Sequence, residues 1–406
     1  MVEEQPRKLS FEMDLNDVVG PGDDVDPLLH LEKDLESRAG REPLSHLIAY
    51  WALGLLNNAP FVILNASAKD LLPEAVGGFY LANSIPSLCV RLSAPYWFDL
   101  VTYRARMIAA SLLMGTSFIL LRTFSDSKGL LLCCVALMSV QSGLGETTLL
   151  SLSSRYESNK TLTAWSSGTG IAGVFGYVYV IVLRDVFKWT TEERLGWSSL
   201  LSFIFIFAFY NIEPVVDSAD STDSSSTQGK SVVPMKTNLS WKGRLQLTAK
   251  LWPWTIPLLV VYWAEYAMQS GIWVVVEIDG YSSDDFYLYS NLCYQVGVFF
   301  SRSSGMVWQP DTKVLWLMPA VQTAVLVFFI VDINTQIWYD RSLFGLAIFV
   351  GLLGGWVYVN GFRLIIEGEK DDRLKELSTA SAAVFSDLGC NLGEATGLLL
   401  QKLLNK

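Results

Sequence analysis

Apolar residues in this chain come in long blocks, without the strict alternation of strands or the narrow stripe of a soluble amphipathic helix. From about residue 44 to the C-terminus, many blocks run for about 20 residues, enough to cross about 30 Å of hydrocarbon as helix. Backbone groups in hydrocarbon find no water to pair with, so these blocks are predicted to be helices. The pattern predicts eleven spans, at roughly 44–64, 76–98, 105–123, 129–151, 164–184, 195–212, 251–275, 285–303, 313–332, 337–361 and 379–401, with ten or twelve as the neighbouring counts. A soluble α-helical protein is excluded, because so many long apolar segments cannot all be internal.

Two polar stretches divide the chain. Residues 1–43 are expected to form a disordered, acidic, cytosolic tail. Residues 213–250 are rich in Ser and Asp at Asp217–Ser226 and turn basic at Lys236, Lys242, Arg244 and Lys250, which reads as a cytosolic linker. It separates an N-terminal six-helix bundle (44–212) from a C-terminal five-helix bundle (251–406). That division matches a two-half transporter with its site between the halves.

Composition agrees: 51% of residues are apolar and 17% are charged, against about 25% charged in soluble domains. The formal charge of −10 owes much to the tail, and no basic run suggests nucleic acid. The polar N-terminus does not read as a cleavable signal peptide. Cys89, Cys133, Cys134, Cys293 and Cys390 lie in apolar surroundings without metal-ligand spacing. His30 and His46 are the only histidines, so neither a metal site nor a histidine relay is expected in the membrane body. With the N-terminus in the cytosol, twenty Lys and Arg fall on the cytosolic side and nine on the other, the expected bias. That topology leaves Asn65 as the one sequon facing the lumen; those at Asn159 and Asn238 fall in the cytosol.

Ionisable groups inside a span cost about 2.5–3.5 kcal/mol on insertion scales, so each needs a reason. Glu146 follows two glycines in Ser142-Gly143-Leu144-Gly145-Glu146, which permit close approach of a helix or ligand. Glu265 sits in Tyr262-Trp263-Ala264-Glu265-Tyr266, with Gln269 one turn later and aromatic rings around it. Either acid has two readings: a group on a solute or proton pathway, or a structural partner for a base or hydroxyl. Carboxyl groups buried in hydrocarbon can bind and release protons. Arg302, at a span end, can hold a phosphate or carboxylate or anchor the span to the cytosolic side. Arg91 either snorkels to an interface or serves the site. Asp387 and Glu394 share a helical face, and Asp387 is the stronger candidate. Gly168, Ala172 and Gly176, and likewise Gly351 and Gly355, form small-residue faces for tight helix packing. In the tail, Asp24 precedes the Leu28-Leu29 pair by four residues, a pattern that resembles a sorting signal read by clathrin adaptors. There is no Walker A sequence, nucleophile–base pair or metal cluster, so no enzyme activity and no cofactor is expected.

Several strings together resemble the battenin family: Trp51–Asn58, Ser142–Thr147, Trp165–Gly173, Val260–Tyr266, Gln295–Ser304 and Gly351–Asn360. The resemblance covers most of residues 47–400. It implies a major-facilitator-like fold, a lysosomal or vacuolar membrane, and links to lumenal pH, basic amino acids and glycerophosphodiesters. It also implies that Glu265 and Arg302 are substitution-sensitive, and Glu146 and Asp387 lie in matching strings. Two features depart from the family: the long insert after span 1 is nearly absent, and the terminus Leu404-Asn405-Lys406 has no prenylation cysteine. The sequence therefore predicts a secondary transporter of a small polar solute, with protons as a candidate second partner. The alternative is a non-transporting membrane scaffold that regulates organelle pH and vesicle trafficking.

Overall fold

The computed structural model describes residues 44–404, apart from 95–96, 98–99, 125–126, 154–157, 213–240, 305–309 and 369–371. The tail residues Asp24, Leu28 and Leu29 lie outside the described residues. The rest is helical, and a single isolated bridge, Ile278 with Tyr281, is the β pairing among the described residues.

In chain order the helices are α1 (Leu44–Leu71), α2 (Val76–Ser93), α3 (Tyr103–Phe124), α4 (Lys128–Ser153), α5 (Ser158–Ile181), α6 (Thr191–Ser198) and α7 (Leu201–Tyr210). After the gap come α8 (Trp241–Lys250), α9 (Trp252–Ala267), α10 (Ser283–Ser303), α11 (Thr312–Thr335), α12 (Ser342–Gly368) and α13 (Asp372–Leu404). Every predicted span has its helix, but several ends differ: α5 and α13 begin at Ser158 and Asp372, before the expected 164 and 379, and α12 covers Ser342–Gly368 instead of 337–361. Helix α1 runs to Leu71 rather than stopping at 64, because Lys69 finds a carboxylate, Asp284, at 3.0 Å. The sixth span is broken into α6 and α7, and it starts earlier, where Thr190 and Glu193 form a reciprocal capping box. The last ten residues of the expected linker are the helix α8.

The two bundles repeat one pairing scheme. In the first, α1 packs along α5 and α2 along α4; in the second, α9 packs along α13 and α10 along α12. Two seams join the bundles, α2 with α13 and α5 with α10. Counted as spans, these are 1–5 and 7–11, 2–4 and 8–10, then 2–11 and 5–8, the relation expected of two similar halves.

Small residues set the close pairings. Gly168 lies against the Trp51 carbonyl and Gly176 against Val62, so this face of α5 beds on α1. Gly351 lies against the Tyr294 carbonyl and Gly355 against Ser301, bedding α12 on α10. A third face, Gly389, Gly393 and Gly397, beds α13 on α9 and its π-helical end Met268–Ile272. Its four-residue spacing is that of the two faces expected from sequence.

The side of the membrane at which α1 begins and the 213–240 segment is attached is the linker face; the other is the far face. Ties between the bundles concentrate toward the far face. Lys69 pairs with Asp284 at 3.0 Å and Arg184 with Asp285 at 2.7 Å. Tyr289 donates to Asp185 at 2.8 Å, and the Tyr80 and Tyr287 hydroxyls are 2.8 Å apart. Gln401 accepts from the Val76 amide at 3.1 Å and donates to the Pro73 carbonyl. Asn65, read as the lumenal sequon, is buried within α1; its Oδ1 accepts from Asn83 at 2.8 Å and its carbonyl from Tyr287. That packing leaves no room for a glycan on Asn65.

The glycine contacts give a paired prediction within one helix. A Cβ at Gly345 meets nothing within 4 Å, whereas one at Gly351 collides with the Tyr294 backbone. Gly351→Ala is expected to destabilise the protein by about 1–3 kcal/mol, and Gly345→Ala to be neutral. Thermal unfolding of the purified variants checks this, and equal effects would contradict the packing.

Candidate functional site

Six helices are long and apolar enough to span a membrane by length and composition alone, and α2, α10 and α13 are not among them. Each of those three carries ionisable candidates: Arg91 on α2, Arg302 on α10, Asp387 and Glu394 on α13; Glu146 on α4 and Glu265 on α9 complete the set. Charge in a span is retained where it has a partner or faces a cavity.

The first cluster centres on Arg91. Its Nη2 lies 3.0 Å from Glu146 Oε2 on α4, and its Nη1 lies 3.2 Å from Asp387 Oδ2 on α13. One guanidinium thus neutralises two carboxylates and ties the N-terminal bundle to the C-terminal one. Arg91 does not snorkel outward; it is turned into the seam, because two acids wait there. The acids approach closely because α4 and its neighbours do. A Cβ at Gly143 would stand 2.8 Å from the Ser87 carbonyl, and Gly145 lies against the Asn57 side chain. All three charged side chains stay partly accessible, at 31% for Arg91, 25% for Glu146 and 24% for Asp387.

The second cluster belongs to the C-terminal bundle. Glu265 is fully buried; its Oε1 accepts from Tyr294 at 2.8 Å, while Oε2 lies on the backbone of Gly354 without a hydrogen-bond partner. Gln269, in the π-helical turn after α9, is also buried and its Nε2 is unpartnered. Arg302 donates to the Tyr262 hydroxyl at 3.3 Å and stacks over Tyr358 at 4.5 Å. Among the described residues no carboxylate lies within ion-pair distance of Arg302. Tyr358 is within electrostatic range of both Arg302 and the Arg91 group, so the two clusters are neighbours.

The structure thus brings Tyr262, Glu265 and Arg302 together, sets Glu146 and Asp387 on Arg91, and keeps Gln269 one turn beyond Glu265 with no bond to it. Sequence reasoning missed Tyr294 and Tyr358, which read as ordinary apolar-face aromatics. Glu394, which the sequence ranks below Asp387, is fully buried at the α2–α13 seam, bonded to Ser84 at 2.6 Å. Its spacing of seven from Asp387 was the available signal. A surface cavity of about 570 Å³ beside Glu277, Asp279 and Tyr339 lies on the far face and shares no residue with either cluster. Among the described residues no group of three or more His, Cys, Asp or Glu is placed to hold a metal.

These features define a multi-pass membrane protein of major-facilitator-like fold. Comparison with solved structures agrees at the level of fold. The chain superposes on the POT family transporter PepTSo, covering 90% of each chain, with a TM-score of 0.62 at 9% identity. It also superposes on a bacterial homologue of the human lysosomal transporter Spinster in an inward-facing, unoccupied conformation, covering 87% of this chain and 82% of that one, with a TM-score of 0.58 at 12% identity. A D-xylose–proton symporter gives 0.58 at 10% identity, over 89% and 97% of the two chains. Residues 48–406 match the CLN3 protein family profile, and the chain belongs to that family. Among its relatives, battenin of Canis lupus familiaris is 28% identical over 434 aligned residues, covering 93% of this chain and 97% of the relative. Protein BTN1 of Yarrowia lipolytica is 31% identical over 385 aligned residues, covering 88% and 94%.

The Arg91 cluster yields a stability prediction. Arg91→Met leaves two acids unpaired in a half-buried seam and is expected to cost about 1–3 kcal/mol, between exposed and fully buried pairs. Adding Glu146→Gln and Asp387→Asn removes the stranded charges and is expected to recover most of that loss. Thermal unfolding in a fixed lipid mixture measures it; losses that simply add would show that the three groups do not act together.

Proposed function

We propose that the protein is a secondary transporter that carries a small polar solute across a lysosome- or vacuole-type membrane, with the acidic end of the solute held by Arg302. The observation that carries this reading is the state of Arg302 itself. A guanidinium inside a helical bundle, held by two tyrosines and no carboxylate, presents unused donors to a phosphate or carboxylate. The unpaired Oε2 of Glu265 and Nε2 of Gln269 nearby offer an acceptor and a donor for the rest of a polar molecule.

The bundle arrangement supports alternating access. Ties between halves gather toward the far face, and the Arg91–Asp387 pair is the tie nearest the linker face among those described above. Rocking about that seam would expose the site to each side in turn. The excess of Lys and Arg in linker-face loops favours a cytosolic N-terminus, so the site in this conformation would open to the cytosol. A glycerophosphodiester fits Arg302 by charge, and a basic amino acid fits the carboxylates while giving its own carboxylate to Arg302. Their movement would account for an influence on lumenal pH and basic amino-acid balance. Energy would come from a gradient. The tail motif at Asp24, Leu28 and Leu29 would supply delivery through a clathrin adaptor.

Reconstituted vesicles test the assignment. Arg302→Gln and Glu265→Gln are each expected to lower flux of glycerophosphocholine or of arginine by about tenfold or more, equal to about 1.4 kcal/mol, at unchanged protein abundance. Unchanged flux in both variants would remove the site, and no flux in the unmodified protein would favour the scaffold reading.

A further inference from the structure

At the α2–α13 seam, Ser84 stands opposite Asn391 and Glu394. Its Oγ lies 2.6 Å from Glu394 Oε2 and 3.0 Å from Asn391 Oδ1. The Asn391 amide is oriented by its own donor: Nδ2 gives a hydrogen bond to the Asp387 carbonyl at 2.7 Å, so Oδ1 faces Ser84 and can only accept. A third acceptor, the Leu81 carbonyl, lies 3.5 Å away. The serine hydroxyl has one proton to give. With Glu394 ionised, that single proton would serve three acceptors, and at least one close oxygen pair would have none. With Glu394 as the acid, the count closes. Glu394 donates to Ser84, Ser84 donates to Asn391, and Asn391 donates to the Asp387 carbonyl.

The surroundings point the same way. Glu394 is fully buried, its Oε1 has no partner, and among the described residues no Lys or Arg lies within ion-pair distance. The titratable groups in range are Tyr80 on α2, Tyr266 on α9, and Cys390 and Asp387 on α13 itself. None of them is a cation. Arg91, two turns further along α2, is committed to Glu146 and Asp387. An unpaired carboxylate is unfavourable in such a place, and a neutral carboxylic acid is not. The seam is tight here: a Cβ at Gly77 would stand 2.5 Å from the Glu394 carbonyl. Parting of α2 from α13 would therefore admit water to a group that was dry.

We propose that Glu394 is the proton-binding residue that couples this carrier to a proton gradient, held as the acid while α2 and α13 are closed together and releasing its proton to water when the seam parts. The proposal rests on the transporter reading of the site and adds its coupling ion. No bond other than the O–H of Glu394 breaks, and the carboxylate that remains is stabilised by the entering water.

Infrared difference spectra in lipid, unmodified protein minus Glu394→Gln, read the protonation without transport. A carboxylic-acid carbonyl band at neutral pH that the variant lacks is expected; a carboxylate band in its place overturns the proposal. If the glutamine variant does not fold, Ser84→Ala removes the acid's acceptor and must shift that band, and an unshifted band overturns it equally. Coupling is read in vesicles with labelled glycerophosphocholine or arginine. Glu394→Gln is expected to lose accumulation driven by an imposed pH gradient, by roughly tenfold, while exchange of labelled for unlabelled solute continues. Gradient-driven accumulation at the unmodified level overturns the coupling. Should the unmodified protein move neither probe, the carrier reading for these solutes fails and the coupling with it, while the infrared band still decides the state of Glu394.

Discussion

A charge held in hydrocarbon needs a partner inside the protein, a counter-charge at Arg91 and tyrosines at Arg302, and the arrangement of this molecule follows from where it finds one. Arg91 meets Glu146 and Asp387 at 3.0 and 3.2 Å, and those three groups come from α2, α4 and α13. One cation against two acids leaves the seam with an uneven balance that water or a solute can adjust. The same constraint bears on three helices that fall outside the six long, apolar spans. What α2, α10 and α13 lose in hydrophobicity they recover through pairs made with one another and with their neighbours.

Much of the fold was legible because hydrocarbon imposes a length. Blocks of apolar residues gave every span, and the small-residue faces at Gly168–Gly176 and Gly351–Gly355 marked where helices touch. The ends were harder. Helix α1 overshoots its apolar block because Lys69 reaches a carboxylate on α10, a partner more than 200 residues away in the chain that no local pattern reveals. The break between α6 and α7 interrupts a run that reads as continuous. Legibility of the site was partial for the same reason. Glu265 and Arg302 stood out as charges in apolar strings. Their actual neighbours, Tyr294 and Tyr358, are tyrosines whose hydroxyls and rings matter only once α9, α10 and α12 are assembled. Arg91 carried the right signal, an isolated cation in an apolar span, but its partners lie 55 and 296 residues further on.

The two acids that sequence reasoning paired have separated into different roles. Glu146 sits in an ion pair, as a structural residue would. Glu265 does not; it takes one hydrogen bond from Tyr294 and leaves its second oxygen free beside an arginine that lacks a carboxylate. The polar groups are therefore arranged asymmetrically: a tie between bundles at Arg91, the proposed binding surface in the C-terminal bundle around Arg302, and a buried acid at Glu394 on the seam between the bundles. Under the proposed function, such a division lets one element hold the halves together while another meets the solute. It needs the halves to move as bodies, which the repeated pairing of α1 with α5 and α9 with α13 allows, since those contacts lie within a bundle and survive a rocking motion.

Distances between spin labels in lipid nanodiscs test that motion most directly. One pair, at Glu74 and Lys402, straddles the far face; the other, at Arg104 and Lys250, straddles the linker face; all four are exposed. Two populations are expected at each face, with the short far-face distance accompanying the long linker-face distance, and an imposed solute or proton load shifting both in opposite senses. A single unchanging distance at both faces would contradict it.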